Sequence, residues 1–273
     1  KGPAGAALAR GWLAGWLFCL SLSVGASVWF LVWHLTGGRW MRAGHDTLAS
    51  LAAAAPLLAL GAVGFIVAVP SLFPWAGTEQ APLRTGYLNV PFFTLRTVLV
   101  LVLWSALGML ARRRLAPSVA GLLILAYGVS VTVASTDWIL SADPAFGSTA
   151  FASYIAVIQF GSALAVAAVA RLDTRDPVAV ADWGGLMLAT LLGVLYLAAM
   201  QYLVVWSGDL PHKAGWYLAR LSGGGRLAAA LAFLLGGLIP FVILLMSRWR
   251  ADAGWLRRAG ACMLAAAFVH LLW

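Results

Sequence analysis

Residues 115–144 read LAPSVAGLLILAYGVSVTVASTDWILSADP. The part from 115 to 140 is long and apolar enough to cross a bilayer as a helix, and Asp137 is its only charge, close to its end. A carboxylate in hydrocarbon is expensive, so its default reading is functional. A second aspartate, Asp143, follows just outside the run, ahead of Pro144.

Runs of this kind recur near 11–36, 47–75, 90–111, 147–170, 183–207, 226–247 and 254–273. Together they predict an all-α polytopic membrane protein with about eight transmembrane helices. Composition agrees. Of 273 residues, 63% are hydrophobic and 10% charged, whereas soluble domains are about half apolar and a quarter charged. The mean hydropathy is +0.92. The net charge of +9 does not imply nucleic acid, because most arginines occupy short connections between spans, where they set topology. Cys19 and Cys262 lie inside apolar runs without a Cys-x-x-Cys partner, which excludes a cysteine-ligated cluster or zinc site within the chain.

No cleavable signal pattern precedes the first run, so it counts as a true span. Four short connections then share Arg39, Arg42, Arg112, Arg113, Arg114, Arg171, Arg175, Arg248, Arg250, Arg257 and Arg258. The opposite side holds only Lys1, Arg10, Arg84, Lys213, Arg220 and Arg226, spread over longer stretches. The positive-inside rule makes the first set cytoplasmic, which places the Asp137 loop and both chain ends in the periplasm of a bacterial inner membrane. One more helix at each end would return both termini to the cytoplasm, so the sequence reads as the core of something longer.

A weak repeat divides the chain into two four-helix bundles, 1–142 and 143–273. After span 2 come Leu72-Phe73-Pro74-Trp75, Glu79 and Tyr87-Leu88; after span 6 come Trp206, Asp209 and Tyr217-Leu218. Long external loops at equivalent places are what duplication of a four-helix unit predicts.

Arg96 is the strongest anomaly after Asp137. It lies about six residues into span 3, roughly 9 Å at helical rise, and span 4 brings Asp137 to a similar depth from the opposite direction. The two can pair internally, or Arg96 can snorkel to phosphates. Gln201 and Tyr202 near the end of span 6, and His270 near the end of span 8, fall in the same layer. Such groups could line a wet pocket for a quinol, which releases protons on oxidation, or a proton path. Each could equally bond a neighbouring helix and do nothing more. A b-type haem needs two ligands at one depth, but His34 ends span 1 on the cytoplasmic side and His270 lies toward the periplasm. His45 and His212 are in loops on opposite sides. Trp75, Trp138, Trp206, Trp216 and Trp255 sit where an interfacial belt is expected.

Four stretches in order resemble one family. They are His34-Leu35-Thr36-Gly37-Gly38-Arg39-Trp40, then Tyr87-Leu88-Asn89-Val90-Pro91-Phe92-Phe93 leading to Arg96, then Asp137-Trp138 through Asp143-Pro144 to Ser148-Thr149, and finally Gln201-Tyr202-Leu203-Val204-Val205-Trp206 followed by Leu210-Pro211. They are similar to the ActF subunit of bacterial alternative complex III, within the NrfD-like membrane subunits, and cover the chain from about residue 11 onward. The resemblance implies two four-helix bundles and no redox cofactor bound by this chain. It implies partners: ActC-like membrane subunits, multihaem cytochrome c and iron–sulfur subunits carrying the haems and clusters, and a terminal oxidase. In that family the ActC-like subunit carries the main quinol site, and ActF-like chains contribute to proton-conducting half-channels. Two places depart from the pattern. The start of span 6 reads Ala181-Asp182-Trp183-Gly184-Gly185 instead of a basic, histidine-bearing segment, and His212-Lys213 replace acids after Pro211. A different docking partner, or a shortened relative of the complex, would account for both.

The expected function is therefore an integral subunit of a quinol-oxidising respiratory complex. Asp137, Arg96, Gln201, Tyr202, His270, Asp143 and His34 are the candidates for a proton path or polar pocket. Two rivals stand beside it: a stand-alone transporter, which would favour broken helices and a midplane site, and a purely scaffolding subunit. Only Pro56 and Pro240 interrupt spans, and they fall in spans 2 and 7, which do not correspond in a four-plus-four repeat.

Overall fold

The computed structural model describes residues 3–76, 86–143, 146–208 and 211–273. Glu79, Arg84, Asp209, Lys1, Leu210 and Pro144 lie outside the described residues. Among the described residues the chain is helical without strands. The helices are α1 (Pro3–Thr36), α2 (Met41–Ala53), α3 (Ala55–Leu60), α4 (Ala62–Leu72), α5 (Val90–Leu110), α6 (Pro117–Trp138) and α7 (Phe151–Ala170). They continue with α8 (Pro177–Ser207), α9 (Pro211–Arg220), α10 (Gly224–Phe233), α11 (Ile239–Leu245), α12 (Ser247–Arg250) and α13 (Ala253–Leu272). Seven spans meet the length and apolarity of a membrane crossing, or eight if the bent pair Met41–Leu60 and Ala62–Leu72 forms one. This is a multi-pass membrane protein.

Helix starts follow from local chemistry. The side chains of Asn89, Asp176 and Asp252 accept backbone N–H bonds at the first turns of α5, α8 and α13, satisfying donors that a helix leaves open. Pro91, Pro117 and Pro177 sit just inside their helices, where a missing N–H costs nothing.

The second span, expected over 47–75 with Pro56 interrupting it, is built from α2, α3 and α4. It begins earlier, at Met41, and bends by 53° near Gly61. Pro56 cannot donate to the Ala52 carbonyl, which interrupts the ladder. Carbonyls around the break that keep only a tightened i+3 backbone bond gain a second donor from α1. Ser23 Oγ donates to Leu51 O at 2.7 Å, and Trp16 Nε1 donates to Leu58 O at 2.8 Å. A broken helix survives in an apolar medium only with such replacements.

Span 7 is irregular in a different way. Leu234–Leu238 form a π-helical turn directly before Pro240. Proline again lacks the N–H that the preceding turn would receive, and widening the turn accommodates the mismatch.

α1 is the central helix. It packs against α2, α4, α5 and α6, and also along α7 and α13, so one apolar core runs through both halves. Its crossing with α7 is close, because a Cβ at Gly25 would collide with the Gln159 carbonyl. Small residues allow such approach between membrane helices. α7 in turn packs between α8 and α13.

At the arginine-rich end, the Asp173 N–H donates to Ala43 O at 2.7 Å and Arg42 pairs with Asp176 at 3.5 Å. Hydrogen bonds from the Arg175 side chain and then its backbone N–H hold the Asp173 carboxyl down at about 2.

Trp138 departs from the expected interfacial belt. It is 2% exposed and sits among Trp16, Phe65 and Trp104. Its indole N–H donates to Thr97 Oγ1 at 3.1 Å, which removes the need for a wet interface at its polar end.

Candidate functional site

The arginine-poor end of α5 and α6 holds the most concentrated polar arrangement. Asn89 starts α5, and Arg96 follows about two turns in, on the face turned toward α6. Arg96 Nε donates to Asp137 Oδ2 at 2.6 Å. Arg96 is 8% exposed and Asp137 fully buried. The internal pair is thus formed, and Arg96 does not snorkel out. Two more bonds hold α5 and α6 in the same antiparallel register: Trp138 to Thr97, and Trp104 Nε1 to Ser130 Oγ at 2.8 Å.

The guanidinium is enclosed on several sides. Its Nη1 donates to Tyr87 O at 2.9 Å, and its carbon lies 3.8 Å from the Tyr87 ring centre and 4.4 Å from that of Phe92. Cation–π contacts of this kind strengthen where water is scarce. Beyond Asp137, Ser141 Oγ donates to the Asp137 carbonyl at 2.5 Å and receives Trp75 Nε1 at 3.2 Å. Tyr87 stands next to the carboxylate. Burial first, and then the Asp137 charge, push its hydroxyl above the ordinary value of 10.0.

The pair is not fully satisfied. Asp137 Oδ1 and Arg96 Nη2 are buried without a hydrogen-bond partner among the described residues, and so is Ser135 Oγ. Moving two charges out of water costs several kcal/mol per ion, and only good geometry with further hydrogen bonds offsets this. Chemically, the arrangement presents a buried carboxylate between a guanidinium and the Tyr87 hydroxyl, set in an aromatic enclosure.

The remaining expected site residues are dispersed. His270, on α13, meets the Tyr154 hydroxyl of α7 at 3.0 Å through Nε2. Gln201 Nε2 donates to Leu197 O on its own helix at 3.3 Å, and its Oε1 is buried without a partner. Tyr202 is 54% exposed, with its ring edge-on to Tyr217. Among the described residues, no hydrogen bond or ion pair joins Gln201 or Tyr202 to Arg96, Asp137 or His270. The common layer read from the sequence therefore resolves into separate polar spots on different helix pairs.

Asp143 and His34 act as ties between elements. Asp143 Oδ2 accepts from Trp216 Nε1 and from Arg220 Nη2, both at 2.9 Å, linking the end of α6 to α9. Both ring nitrogens of His34 face backbone carbonyls, Phe30 O at 2.6 Å and Arg113 O at 2.8 Å. The second contact fastens α1 to the α5–α6 connection, and both bonds form together only when the ring carries two N–H groups.

Three groups escaped the sequence reading. Tyr87 was visible as a motif residue but not as the cover of Arg96. Tyr154 lies 116 positions from His270, and no local spacing announces that contact. Tyr127 donates to Gln159 Oε1 at 2.7 Å, a buried bond from α6 to α7. The repeated Tyr-Leu dipeptides occupy unlike settings, since Tyr87 precedes α5 whereas Tyr217 lies within α9. No group of three or more His, Cys, Asp or Glu that could hold a metal ion occurs among the described residues.

Comparison with known proteins returns no matching family model and no matching curated protein.

Proposed function

We propose that this chain is an integral subunit of a quinol-oxidising respiratory complex of the alternative complex III kind, with Asp137 as a proton-exchanging carboxylate. The complex sits in a bacterial inner membrane with the Asp137 end facing the periplasm, and the chain acts through ActC-like, multihaem cytochrome and iron–sulfur partners. One observation carries the reading. Two of the four stretches that resemble that family, the one leading to Arg96 and the one starting at Asp137, meet in a single buried ion pair.

In this role Arg96 holds the carboxylate in place through Oδ2, and the carboxylate, with the Tyr87 hydroxyl beside it, takes and releases a proton. Tyr87 and Phe92 exclude water from the guanidinium face, which strengthens the electrostatic coupling between the two groups.

Purification of tagged protein in mild detergent, with mass spectrometry and a redox spectrum, tests the reading. Co-purifying multihaem cytochrome and iron–sulfur subunits, with haems reduced on adding quinol, is the expected result. A colourless protein that is stable alone would overturn it. That outcome would favour the transporter reading, which draws support from the 53° bend in the second span and the π-helical turn in span 7.

A further inference from the structure

We propose that the second half of the chain binds the ring of a quinol or quinone in a cavity between α7, α8, α10 with its π-helical turn, and α13, headed by the Tyr154–His270 pair. The choice of ligand class rests on the respiratory reading above; the cavity itself does not.

The space measures about 250 Å³. A cavity of about 150 Å³ admits benzene, so a substituted six-membered ring fits. Tyr154 and Gly161 line it from α7, and Met263 and His270 line it from α13. Each of these pairs is seven positions apart, roughly 10 Å along a helix. The site is thus an elongated slot running from near the membrane surface toward its middle.

Its two ends differ chemically. At the deep end the walls are Leu191, Met263 and the backbone of Gly237. Gly236 and Gly237 let the π-helical turn close that end tightly, since a Cβ at Gly236 would lie 2.7 Å from Ala266 and one at Gly237 3.1 Å from Leu195. At the shallow end stand the Tyr154 hydroxyl and the His270 imidazole, 3.0 Å apart. Trp273 stacks on His270, with centroids 5.8 Å apart and planes at 29°, and it supplies a flat surface beside the polar pair.

A largely apolar slot with a few polar groups, here the Tyr154–His270 pair and Ser162, is the usual form of a small-molecule site. A phenolic oxygen of a quinol, or the carbonyl of a quinone, can join the Tyr154–His270 bond as donor or acceptor, because a hydroxyl and an imidazole each supply both functions. Phe233 also lines the cavity while being 60% exposed. The slot therefore reaches the lipid-facing surface of α10, where an apolar tail can leave it.

This site lies apart from the Arg96–Asp137 pair, which belongs to α5 and α6, so the two can be tested separately. The experiment is photolabelling of the detergent-purified complex with an azido-quinone, mapped by peptide mass spectrometry, with decylubiquinone as competitor. Labelled peptides from α7, α10 or α13 of this chain, protected by decylubiquinone, are expected. Ala198→Phe fills the slot from α8 and should abolish that labelling while partner subunits still co-purify. Tyr154→Phe keeps the shape and removes one hydrogen bond, which should weaken protection about tenfold.

Labelling confined to partner subunits would overturn this pocket and leave the respiratory reading standing. Protection by decylubiquinone unchanged in Tyr154→Phe would also overturn it, since a site that needs only apolar volume is a lipid acyl-chain groove. A preparation with no label on any subunit and no haem-bearing partner would overturn both.

Discussion

Arg96 and Asp137 lie 41 positions apart in the chain, yet Arg96 Nε and Asp137 Oδ2 are 2.6 Å apart in the interior. The contact fixes the register of two antiparallel spans and sets the carboxylate beside the Tyr87 hydroxyl.

The pair should behave as a coupled unit. Replacing Asp137 with Leu strands a buried guanidinium and should cost roughly 3–5 kcal/mol. Asp137→Asn keeps an acceptor for Arg96 Nε and should cost distinctly less, so that assembly survives while quinol-driven turnover falls. The Arg96→Leu, Asp137→Leu double substitution should recover most of the stability lost in Asp137→Leu. Thermal unfolding in detergent of these three variants and of Arg96→Leu alone measures this. Additive losses in the double variant would show that the two residues act independently.

Tyr87 should titrate late. Burial and the adjacent Asp137 charge disfavour the phenolate, so its hydroxyl keeps its proton above pH 10.0. A raised value in the folded state means that the stabilising contribution is present below the unfolded value and is lost as pH rises through the folded one. The ultraviolet difference titration of wild type against Tyr87→Phe should therefore place the missing phenolate signal above pH 10.0. A signal at or below that value would remove Asp137 and burial as its neighbours.

Two helix glycines should respond in opposite directions. Gly25→Ala drives a methyl into the Gln159 carbonyl and should cost about 1–3 kcal/mol by forcing α1 away from α7. Gly128 has open space around its position on α6, so Gly128→Ala should be neutral or stabilise by up to about 1 kcal/mol. Melting temperatures of the two variants make the comparison, and equal shifts would contradict the α1–α7 crossing.

Ser23→Ala should cost about 1 kcal/mol, because Leu51 O at the bent span loses its side-chain donor. Wild-type melting behaviour in this variant would mean that the bend does not depend on α1.

Orientation is open to direct labelling. In a protein with Cys19 and Cys262 replaced by serine, a cysteine at Arg113 should react with an impermeant maleimide only after the cells are opened. A cysteine at Thr149 should react in spheroplasts at once. The reverse pattern would invert the topology inferred from the arginine distribution.

Much of the architecture was legible because the signals are local. An apolar run of sufficient length declares a span, although the start of α8 at Pro177, capped by Asp176, lies six residues before the expected 183. Pro56 and Pro240 marked the irregular spans but not their form, since the 53° bend falls at Gly61, five residues beyond Pro56, and a π-helical turn precedes Pro240. Depth along a span was legible for Arg96 and Asp137, whereas rotation about the helix axis was not. Gln201, Tyr202 and His270 therefore share a layer in sequence terms without sharing a pocket. Trp138 was misplaced at the interface for the same reason: its position near a helix end is local, but its burial depends on Trp16, Phe65 and Trp104 from other helices.

The sequence by itself determined that this chain is a helical, multi-pass membrane protein, because hydrophobic length and charge placement are set against a bilayer of nearly constant thickness. It also singled out Arg96 and Asp137, since charges in apolar runs stand out without reference to any partner. Only the tertiary structure decided that these two pair, that Tyr87 covers them, and that Tyr154 and His270 meet at the head of a cavity. Those contacts join residues far apart in the chain, and which helix faces which is settled by packing of whole surfaces rather than by the spacing of residues along any one of them.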